Sequence, residues 1–310
     1  MTSSFRQRPR LAVGVIGVGR VGSVLGAALA RAGHAVVAAS AVSDASRRRA
    51  ERLLPGVPLC PPDEVAKRST LVLLAVPDDA LPALVSGLAV TGAFRPGQIA
   101  VHTSGRYGLA VLAPAAALGV LPLALHPVMT FAGSSTDLSR LAGATFGVTA
   151  PPELGPVAAA LVLEMGAEPS EVAEGSRELY HAALAHGANH LVTLVNSATD
   201  VLRAAGITDP AGMVGPLLSA ALDNALHSGD SALTGPVSRG DAETVAAHLD
   251  ALAREAPAQL PLYRALARAT ADRALAARIV SPSQVDAIHH VLADHDRADP
   301  YGPDPDGARA

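Results

Sequence analysis

The sequence has one cysteine, one lysine and no tryptophan among its 310 residues. Cys60 alone cannot form an internal disulfide or a multi-cysteine metal site, which is consistent with a reducing compartment. We therefore expect a cytoplasmic protein without a bound metal. Any mechanism that needs a Schiff-base lysine or a lysine proton donor must use Lys67 or be discarded.

Long apolar runs and a large charge excess are also missing. No run of about 20 apolar residues escapes interruption by a charge or a helix breaker, so we expect no membrane span. A net charge of −4 gives no general attraction to nucleic acid or to an anionic membrane. Arg6, Arg8 and Arg10 precede an apolar stretch whose residues 28–30 resemble a signal-peptide cleavage site. Arg20 and several glycines interrupt that stretch, so we favour a folded segment.

Short β-branched apolar runs alternate with alanine- and leucine-rich stretches between residue 11 and about residue 173. Continuous apolar strands separated by helices indicate a parallel sheet that is covered on both faces. The strands are predicted at 11–17, 34–40, 71–77, 98–104, 121–127 and 144–150, and the clearest helices between them at 20–32, 43–54, 78–88 and 153–165.

The strand signal disappears after residue 174. Ser281, Pro282 and Gln284 form a capping box at the start of the last helix, which shows how clearly the helices of this region are marked. We therefore predict an α/β fold with a doubly wound parallel sheet, followed by an all-α C-terminal domain. The predicted helices lie at 175–205, 211–228, 241–254, 257–279 and 282–294. The predicted parts are a flexible N-terminus at 1–10, the α/β domain at 11–173, the helical domain at 174–295 and a disordered, Pro- and Asp-rich tail at 296–310.

A G-x-G-x-x-G pattern ends the first predicted strand and opens the first predicted helix. In a chain with 28 glycines the bare pattern is weak, but this position between strand and helix is the one that a dinucleotide-binding turn requires. Gly33 also fits the C-terminal cap of that helix, immediately before the second strand. We therefore predict that a dinucleotide binds at Gly17, Val18, Gly19, Arg20, Val21 and Gly22.

The end of the second predicted strand bears on which dinucleotide is bound. An NAD site usually has an acidic residue there, which accepts a hydrogen bond from the ribose 2′-hydroxyl. Here the strand ends in Ser40, and Arg47 begins a run of three arginines. Hydroxyl and guanidinium groups suit a 2′-phosphate, so NADP is favoured over NAD. Asp44 weakens this pattern, and the arginines could instead form a solvated helix face.

Chemistry-bearing side chains gather at the predicted carboxyl ends of three further strands. Ligands of open parallel sheets bind beyond these ends. Two histidines there suggest proton transfer, because imidazole titrates near neutral pH, although each could equally be a hydrogen-bonded loop residue. The candidates are Val76, Pro77 and Thr103 for the cofactor, His102 for the substrate, and Ser104 and His126 for catalysis.

Two further groups lie in the helical region. His181 and Asn189 share a helix face that lacks lysine and glutamate, although such a face could simply contact water. Arg239 follows a Gly-Pro turn and could hold a substrate carboxylate, with a surface ion pair as the alternative. We assign Asp241 to substrate binding as well, although it is also a natural N-cap for the next helix.

The motifs that carry a family resemblance are the glycine turn, AVPDDAL at 75–81, HTSG at 102–105, HPVMTF at 126–131, YHAALAHGANHL at 180–191 and LTGPVSRGD at 233–241. The chain resembles, from about residue 11 to 295, a bacterial family that joins a Rossmann-like domain to a helical domain of unknown function, the DUF2520 type. It is more distantly similar to ketopantoate reductases, pyrroline-5-carboxylate reductases, prephenate dehydrogenases and F420-dependent NADP reductases.

Each distant relative matches only in part. Ser104 and His126, which is followed by proline, match an arrangement in prephenate dehydrogenases. Ketopantoate reductases use a Lys-x-x-x-Asn pair, of which Asn189 matches the asparagine while Ala185 stands in the lysine position. The lysine mechanism is therefore not available to this chain.

The resemblance implies NADPH-dependent reduction of a small carboxylate-bearing 2-oxo acid, ketopantoate-like, or of an imine. His126 or His181 would donate the proton, while Ser104 and Asn189 would orient the reactants. Helices that must bury apolar faces also suggest a homodimer formed through the helical domain. The alternatives are a prephenate-type dehydrogenase, an F420/NADP oxidoreductase, and a sensor that binds NADP(H) without catalysis.

Overall fold

The described chain, residues 10–297 of the computed structural model, divides into two units within one long helix. The first unit ends at Gly187 and the second begins at Ala188. The boundary predicted from the sequence lies earlier, before that helix begins. The predicted flexible start (1–10) and disordered tail (296–310) lie outside the described residues except for residues 10, 296 and 297, of which the last two belong to the final helix.

A seven-stranded sheet organises the first unit. Its strands are β1 (Ala12–Ile16), β2 (Ala35–Ser40), β3 (Leu71–Leu74), β4 (Ile99–His102), β5 (Leu121–Pro127), β6 (Thr145–Thr149) and β7 (Glu168–Glu171). Their order in the sheet is β2-β1-β3-β4-β5-β6-β7. The first five strands are parallel, and the register aligns Ile16, Leu74, His102 and Ala124. The carboxyl ends of these strands therefore form one edge of the sheet.

The last two strands correct the prediction of a wholly parallel sheet. β6 pairs antiparallel with β5, and β7 runs parallel to β6. A strand that is buried on both faces has an apolar sequence in either direction, so composition does not reveal the reversal. The sequence does not predict β7, because its residues, EPSE, are polar and mostly exposed.

Helices cover both faces of the sheet, which confirms the doubly wound α/β fold. Alternate side chains of the strands point to opposite faces, so Val15 packs in one apolar core and Ile16 in the other. Gly33 has φ +98° directly after the first helix, as its predicted capping role requires. The helices are α1 (Arg20–Arg31), α2 (Asp44–Leu53), α3 (Pro62–Arg68), α4 (Leu81–Val90), α5 (Ala113–Ala116), α6 (Ser135–Arg140), α7 (Gly155–Glu164) and α8 (Arg177–Ala204).

Three of these helices, α3, α5 and α6, are absent from the sequence prediction. They have seven, four and six residues, too few to show a clear apolar period. Proline begins α3, and the helix ends within two turns, so its sequence resembles a loop between strands. The longer helices are confirmed, with bounds that differ from the predicted ones by a few residues.

The second unit is entirely helical in its described residues, as predicted. Its apolar core joins Val245 and Leu249 to Ala271 and Ile288. The predicted capping box is present at Ser281, whose backbone N–H donates to Gln284 Oε1 at 3.0 Å. After the end of α8, its helices are α9 (Pro210–Ser228), α10 (Pro236–Arg239), α11 (Ala242–Glu255), α12 (Leu260–Ala276) and α13 (Pro282–Arg297). Across residues 10–297, no helix is long and apolar enough to cross a membrane.

Candidate active site

The glycine turn joins β1 to α1 at the carboxyl edge of the sheet. Gly17 has φ +94°, and a Cβ atom there would lie 2.6 Å from the Ala75 carbonyl oxygen. A Cβ atom on Gly22 would collide with the Gly17 carbonyl oxygen. The first and third glycines thus allow close packing, whereas a Cβ atom on Gly19 would meet no described atom within 4 Å. The open space beside the second glycine is where a dinucleotide diphosphate approaches such a turn.

Some backbone N–H groups of the turn hydrogen-bond to the neighbouring strand, and others lie at the start of α1, where a ligand could accept from them. The Val18 N–H donates to the carbonyl oxygen of Ser40 at 3.0 Å, which ties the turn to the end of β2. The first α-helical hydrogen bond from the turn runs from Ser23 N–H to the Gly19 carbonyl oxygen at 3.3 Å. The N–H groups of residues 20–22 precede that bond, at the positive end of the helix dipole. They are suited to hold a diphosphate.

The arginines after β2 occupy different environments. Arg47 and Arg48 are exposed on α2, whereas Arg49 is half-buried. A Cβ atom on Gly133 would lie 2.8 Å from Arg49 Nε and 3.1 Å from Arg20 Cγ, so these two arginines converge on one glycine. Arg49, which the sequence analysis did not assign, is therefore better placed than Arg47 to meet a phosphate next to the glycine turn.

The predicted cofactor residues after β3 and β4 lie along the same edge. Val76 contacts the turn, because a Cβ atom on Gly17 would lie 3.0 Å from Val76 Cγ1. Pro77 is exposed, and Thr103 is half-buried, with its N–H donating to the Leu74 carbonyl oxygen at 3.2 Å. The edge is thus continuous from the glycine turn to the end of β4.

His102 is fully buried and hydrogen-bonds at both ring nitrogens. Its Nε2 lies 2.9 Å from the Gly108 carbonyl oxygen, and its Nδ1 accepts from the Ser104 N–H at 3.3 Å. Burial lowers the pKa of His102 to about 4, so the ring is neutral near pH 7. The Ser104 hydroxyl oxygen accepts from Tyr107 N–H at 3.1 Å. These contacts favour a structural role for His102 and Ser104 in the loop after β4.

His126 and His181 meet across Gly105. Their rings are perpendicular, with centroids 6.2 Å apart. A Cβ atom on Gly105 would lie 2.9 Å from His126 Nε2 and 2.7 Å from His181 Cδ2. Glycine at this position therefore lets both imidazoles pack against the backbone, since even a methyl group there would overlap the two rings. The two predicted proton donors are brought together in the first unit.

Tyr180 contacts the opposite side of His126. Its hydroxyl oxygen lies 2.7 Å from His126 Nδ1, and the two rings are perpendicular with centroids 5.6 Å apart. Gly147 on β6, which is paired with His126 across the strands, makes room for the phenol. A Cβ atom on Gly147 would collide with the Tyr180 hydroxyl. Burial raises the pKa of Tyr180, so the phenol is protonated near neutral pH.

Arg177 places a cation beneath this group. Its side chain is 1% exposed, and its hydrogen bonds run to neutral oxygens: the hydroxyl of Thr149 and the carbonyls of Ser104, Ala124 and Gly147. The guanidinium carbon lies 5.7 Å from the centre of the Tyr180 ring. Burial, reinforced by the charge of Arg177, lowers the pKa of His126 to about 4. The site therefore keeps His126 neutral beside a buried positive charge.

Two family models match the chain, and the residues of this group are divided between them. Residues 1–127 match a Rossmann-like domain, and residues 144–270 match a domain of unknown function, DUF2520. The chain thus carries a region that matches a Rossmann-like domain, followed by one that matches DUF2520. His126 belongs to the Rossmann-like match, whereas Arg177, Tyr180 and His181 belong to the DUF2520 match.

Solved structures share this fold at low sequence identity. A provisionally named NADP oxidoreductase from Bacteroides fragilis is 21% identical, with a TM-score of 0.72 over 85% of this chain and 98% of that one. An imine reductase from Pseudomonas sp. is 18% identical, with a TM-score of 0.60 over 84% and 93%. The pyrroline carboxylate reductase of Plasmodium falciparum, solved with NADP bound, is 10% identical, with a TM-score of 0.54 over 93% and 97%. No curated protein matches the chain.

The remaining predicted residues lie in the second unit, within the DUF2520 match. Asn189 is exposed on α8, and Arg239 is exposed at the end of α10. Asp241 caps α11, since its carboxylate accepts from the Thr244 N–H at 3.0 Å, and this bonding lowers the pKa of Asp241. The structural alternative for Asp241 is thus confirmed, while its predicted role toward a substrate stays a prediction.

The same unit contains a cavity of about 720 Å³. Apolar side chains from α8, α11 and α12 dominate its lining, and two hydrogen-bonded polar pairs, His248–Tyr263 and Ser197–Gln259, also contribute. His248 Nδ1 lies 2.9 Å from the Tyr263 hydroxyl oxygen. Across residues 10–297, no group of three or more His, Cys, Asp or Glu side chains is arranged to hold a metal.

Sequence reasoning missed Tyr180, Arg177 and the two glycines at 105 and 147. Tyr180 directly precedes His181 in a chain with four tyrosines, which was the signal available for it. Arg177 has no such signal, because a single arginine at the start of a helix usually faces solvent. The glycines matter through contacts between distant segments, which spacing along the chain does not encode.

Proposed function

We propose that the protein is an NADP(H)-dependent oxidoreductase that reduces a C=O or C=N bond of a small carboxylate-bearing compound, a ketopantoate-like 2-oxo acid or an imine. One observation carries the proposal: the glycine turn and the His126–His181 pair lie on the same sheet edge. The similarity to reductase structures, one of them with NADP bound, supports it. That similarity concerns the fold, and the chemistry of the proposal is argued from the residues of this chain.

The residues at this edge fit a dinucleotide. The N–H groups of residues 20–22 would hold the diphosphate, and Arg20 with Arg49 would meet the 2′-phosphate that distinguishes NADP. Bound NADPH would supply a hydride to the carbon of the reducible bond. The chain must then supply a proton to the oxygen or nitrogen.

His126 is the proposed donor, in its neutral form. Its pKa of about 4 leaves almost no imidazolium at pH 7, so the transferable hydrogen is the one on a neutral ring nitrogen. Its Nε2 faces Gly105, next to the ring of His181. Ser104 holds the loop between them, which is a different role from the direct contact that the sequence suggested.

We propose Arg239 as the group that recognises the substrate carboxylate. Its guanidinium is exposed, while the neighbouring Asp241 uses its carboxylate for the cap of α11. Asn189 is proposed to contact the substrate or the cofactor amide. Replacing Arg239 with Ala should raise KM at least tenfold with little effect on kcat, because binding of the carboxylate is lost in ground and transition states alike.

The proposed assembly is a homodimer through the helical domain. α9 exposes Met213, Leu217, Leu222 and Leu226, of which Leu226 is 77% exposed. A 19-residue helix with this much uncovered apolar surface is typical of a subunit interface, and a second copy offers the same surface in return. Light scattering should give the mass of a dimer, Leu217→Glu a monomer, and the control Val90→Glu on α4 no change.

The function is tested first by binding. NADPH fluorescence can be followed cleanly because the chain has no tryptophan, and a panel of 2-oxo acids and cyclic imines then tests turnover. We expect binding of NADPH in preference to NADH, weakened most by Arg49→Ala, with Arg48→Ala as the exposed control.

Each alternative gives a distinct result. Oxidation of prephenate with NADP, or hydride exchange with F420, would replace the proposed reaction by a related one. Binding without turnover of any of these compounds would favour the sensor. Failure of the folded protein to bind either reduced coenzyme would overturn the proposal.

A further inference from the structure

We propose that Tyr180 and Arg177 form a proton relay with His126, in which Tyr180 replaces the hydrogen that His126 gives to the substrate. This inference deepens the proposed function and rests on it. It assigns roles to two residues that a simple histidine donor does not require.

The direction of the Tyr180–His126 hydrogen bond is part of the proposal. The phenol is protonated near neutral pH, and its oxygen lies 2.7 Å from His126 Nδ1, so the phenol hydrogen can be donated to that nitrogen. With Nδ1 acting as acceptor, the neutral ring holds its hydrogen on Nε2, the nitrogen that faces Gly105.

The reversed strand is what permits this contact. β6 runs antiparallel to β5, and the register sets Gly147 directly opposite His126. Any side chain at 147 would occupy the position of the Tyr180 hydroxyl. The β5–β6 pair therefore positions the phenol against the imidazole, and α8 delivers Tyr180 and His181 on consecutive residues.

Arg177 supplies the charge that the relay needs. Its guanidinium is buried, and neutral oxygens accept its hydrogen bonds, so no carboxylate neutralises it through those bonds. A negative charge formed on the Tyr180 oxygen would be stabilised by this cation. Arg177 lowers the pKa of Tyr180, whereas burial, which has the larger effect, raises it.

The transfer balances in atoms and charge. Bound NADPH would supply the hydride of the new C–H bond, and the Nε2 hydrogen of His126 would form the O–H or N–H bond of the product. The Tyr180 hydrogen moves to Nδ1 of the same imidazole, which stays neutral and exchanges one tautomer for the other. The phenolate that remains faces Arg177 and recovers a proton from water.

The charged and titratable groups that act on His126 come from three segments. Asp78 follows β3, His102 ends β4, and Arg177 and His181 lie on α8, with Tyr180 between them. Among them Arg177 and burial dominate, and both favour the neutral ring. We therefore expect kcat to stay flat from about pH 6 to 9, whereas an imidazolium donor would lose activity about tenfold per pH unit above its pKa.

The deciding experiment is ¹⁵N NMR of the histidine rings in the full-length protein without ligand. We expect His126 to be neutral with its hydrogen on Nε2, and Tyr180→Phe to abolish that preference while the His102 signals stay unchanged. A wild-type His126 with its hydrogen on Nδ1 would overturn the relay, because the imidazole would then be donating to the phenol.

Kinetics complete the test. Tyr180→Phe should lower kcat about 10- to 100-fold with KM within about threefold, and the control Tyr107→Phe should leave both unchanged. An unchanged kcat in Tyr180→Phe, or a bell-shaped wild-type profile centred near pH 6, would overturn the relay within a working reductase. An Nε2-bound hydrogen in a protein that reduces nothing would instead refute the proposed function.

Discussion

Two histidine–tyrosine pairs within residues 10–297 have almost the same geometry in different surroundings. In the first unit His126 and Tyr180 are 2.7 Å apart, and in the second His248 and Tyr263 are 2.9 Å apart. Both pairs have perpendicular rings, at 89° and 82°. His126 lies above a buried guanidinium and packs against Gly105, whereas His248 is exposed. The hydrogen bond alone does not make a proton-transfer site, and the surroundings decide its use.

The sharpest test of this contrast replaces each histidine. His126→Ala should lower kcat at least 100-fold, because a positioned acid contributes about 10²- to 10⁴-fold to such a step. His248→Ala should change kcat less than about threefold, because its ring is exposed and has no buried cation below it. Steady-state kinetics at saturating NADPH measures both, and equal losses in the two variants would remove the distinction.

Filling the space beside Tyr180, which the glycine at position 147 leaves open in the first pair, should have the next largest effect. Gly147→Ala places a methyl group where the Tyr180 hydroxyl lies, and overpacking of this kind typically costs about 1–3 kcal/mol. We expect urea unfolding to show a loss of about 2 kcal/mol together with a fall in kcat. Gly87→Ala, on a helix where the added Cβ meets no described atom within 4 Å, is the control and should be neutral or slightly stabilising.

Removing each tyrosine hydroxyl compares the two hydrogen bonds directly. Tyr180→Phe leaves the largely buried His126 Nδ1 without its partner, at a cost of about 1–2 kcal/mol. Tyr263→Phe should cost less than about 0.5 kcal/mol, because water can reach His248 in its place. Chemical denaturation of both variants distinguishes the pairs, and equal costs would mean that the two environments are alike.

The pH dependence of stability separates the pairs by a smaller amount. The pKa of His126 is about 4 in the folded protein and near 6.5 when unfolded, so the unfolded state binds more protons between these values. Stability from His126 is therefore present above about pH 6.5 and lost as pH falls toward 4. His126→Asn should flatten the decline between pH 7 and 5 by about 1 kcal/mol, after allowance for partial exposure. A decline that is unaltered in His126→Asn would mean that the folded ring titrates normally.

Much of the first unit could be predicted because its signals are local. The glycine turn, the cap at Gly33 and the five parallel strands each depend on a few adjacent residues. Proximity of the strand ends then follows from the parallel sheet, which explains why the sequence already pointed to His126. The bounds of short helices such as α3 could not be obtained in this way.

The rest of the site depends on contacts between residues far apart in the chain. Tyr180 contacts His126 only because β6 is reversed, and an apolar strand has the same composition in either direction. Arg177 and His102 are polar residues that the fold buries, against the usual preference of their types. Arg49 rather than Arg47 turns inward, because its position on α2 faces the loop that contains Gly133.

The glycine turn and the socket for the phenol depend on opposite rims of the sheet. The turn follows β1, one strand from the β2 rim, and the socket lies on β6, one strand from the β7 rim. Local opening of one rim can leave the rest of a sheet paired. Under the proposed function, opening of the β6–β7 rim would interrupt proton transfer without releasing the coenzyme.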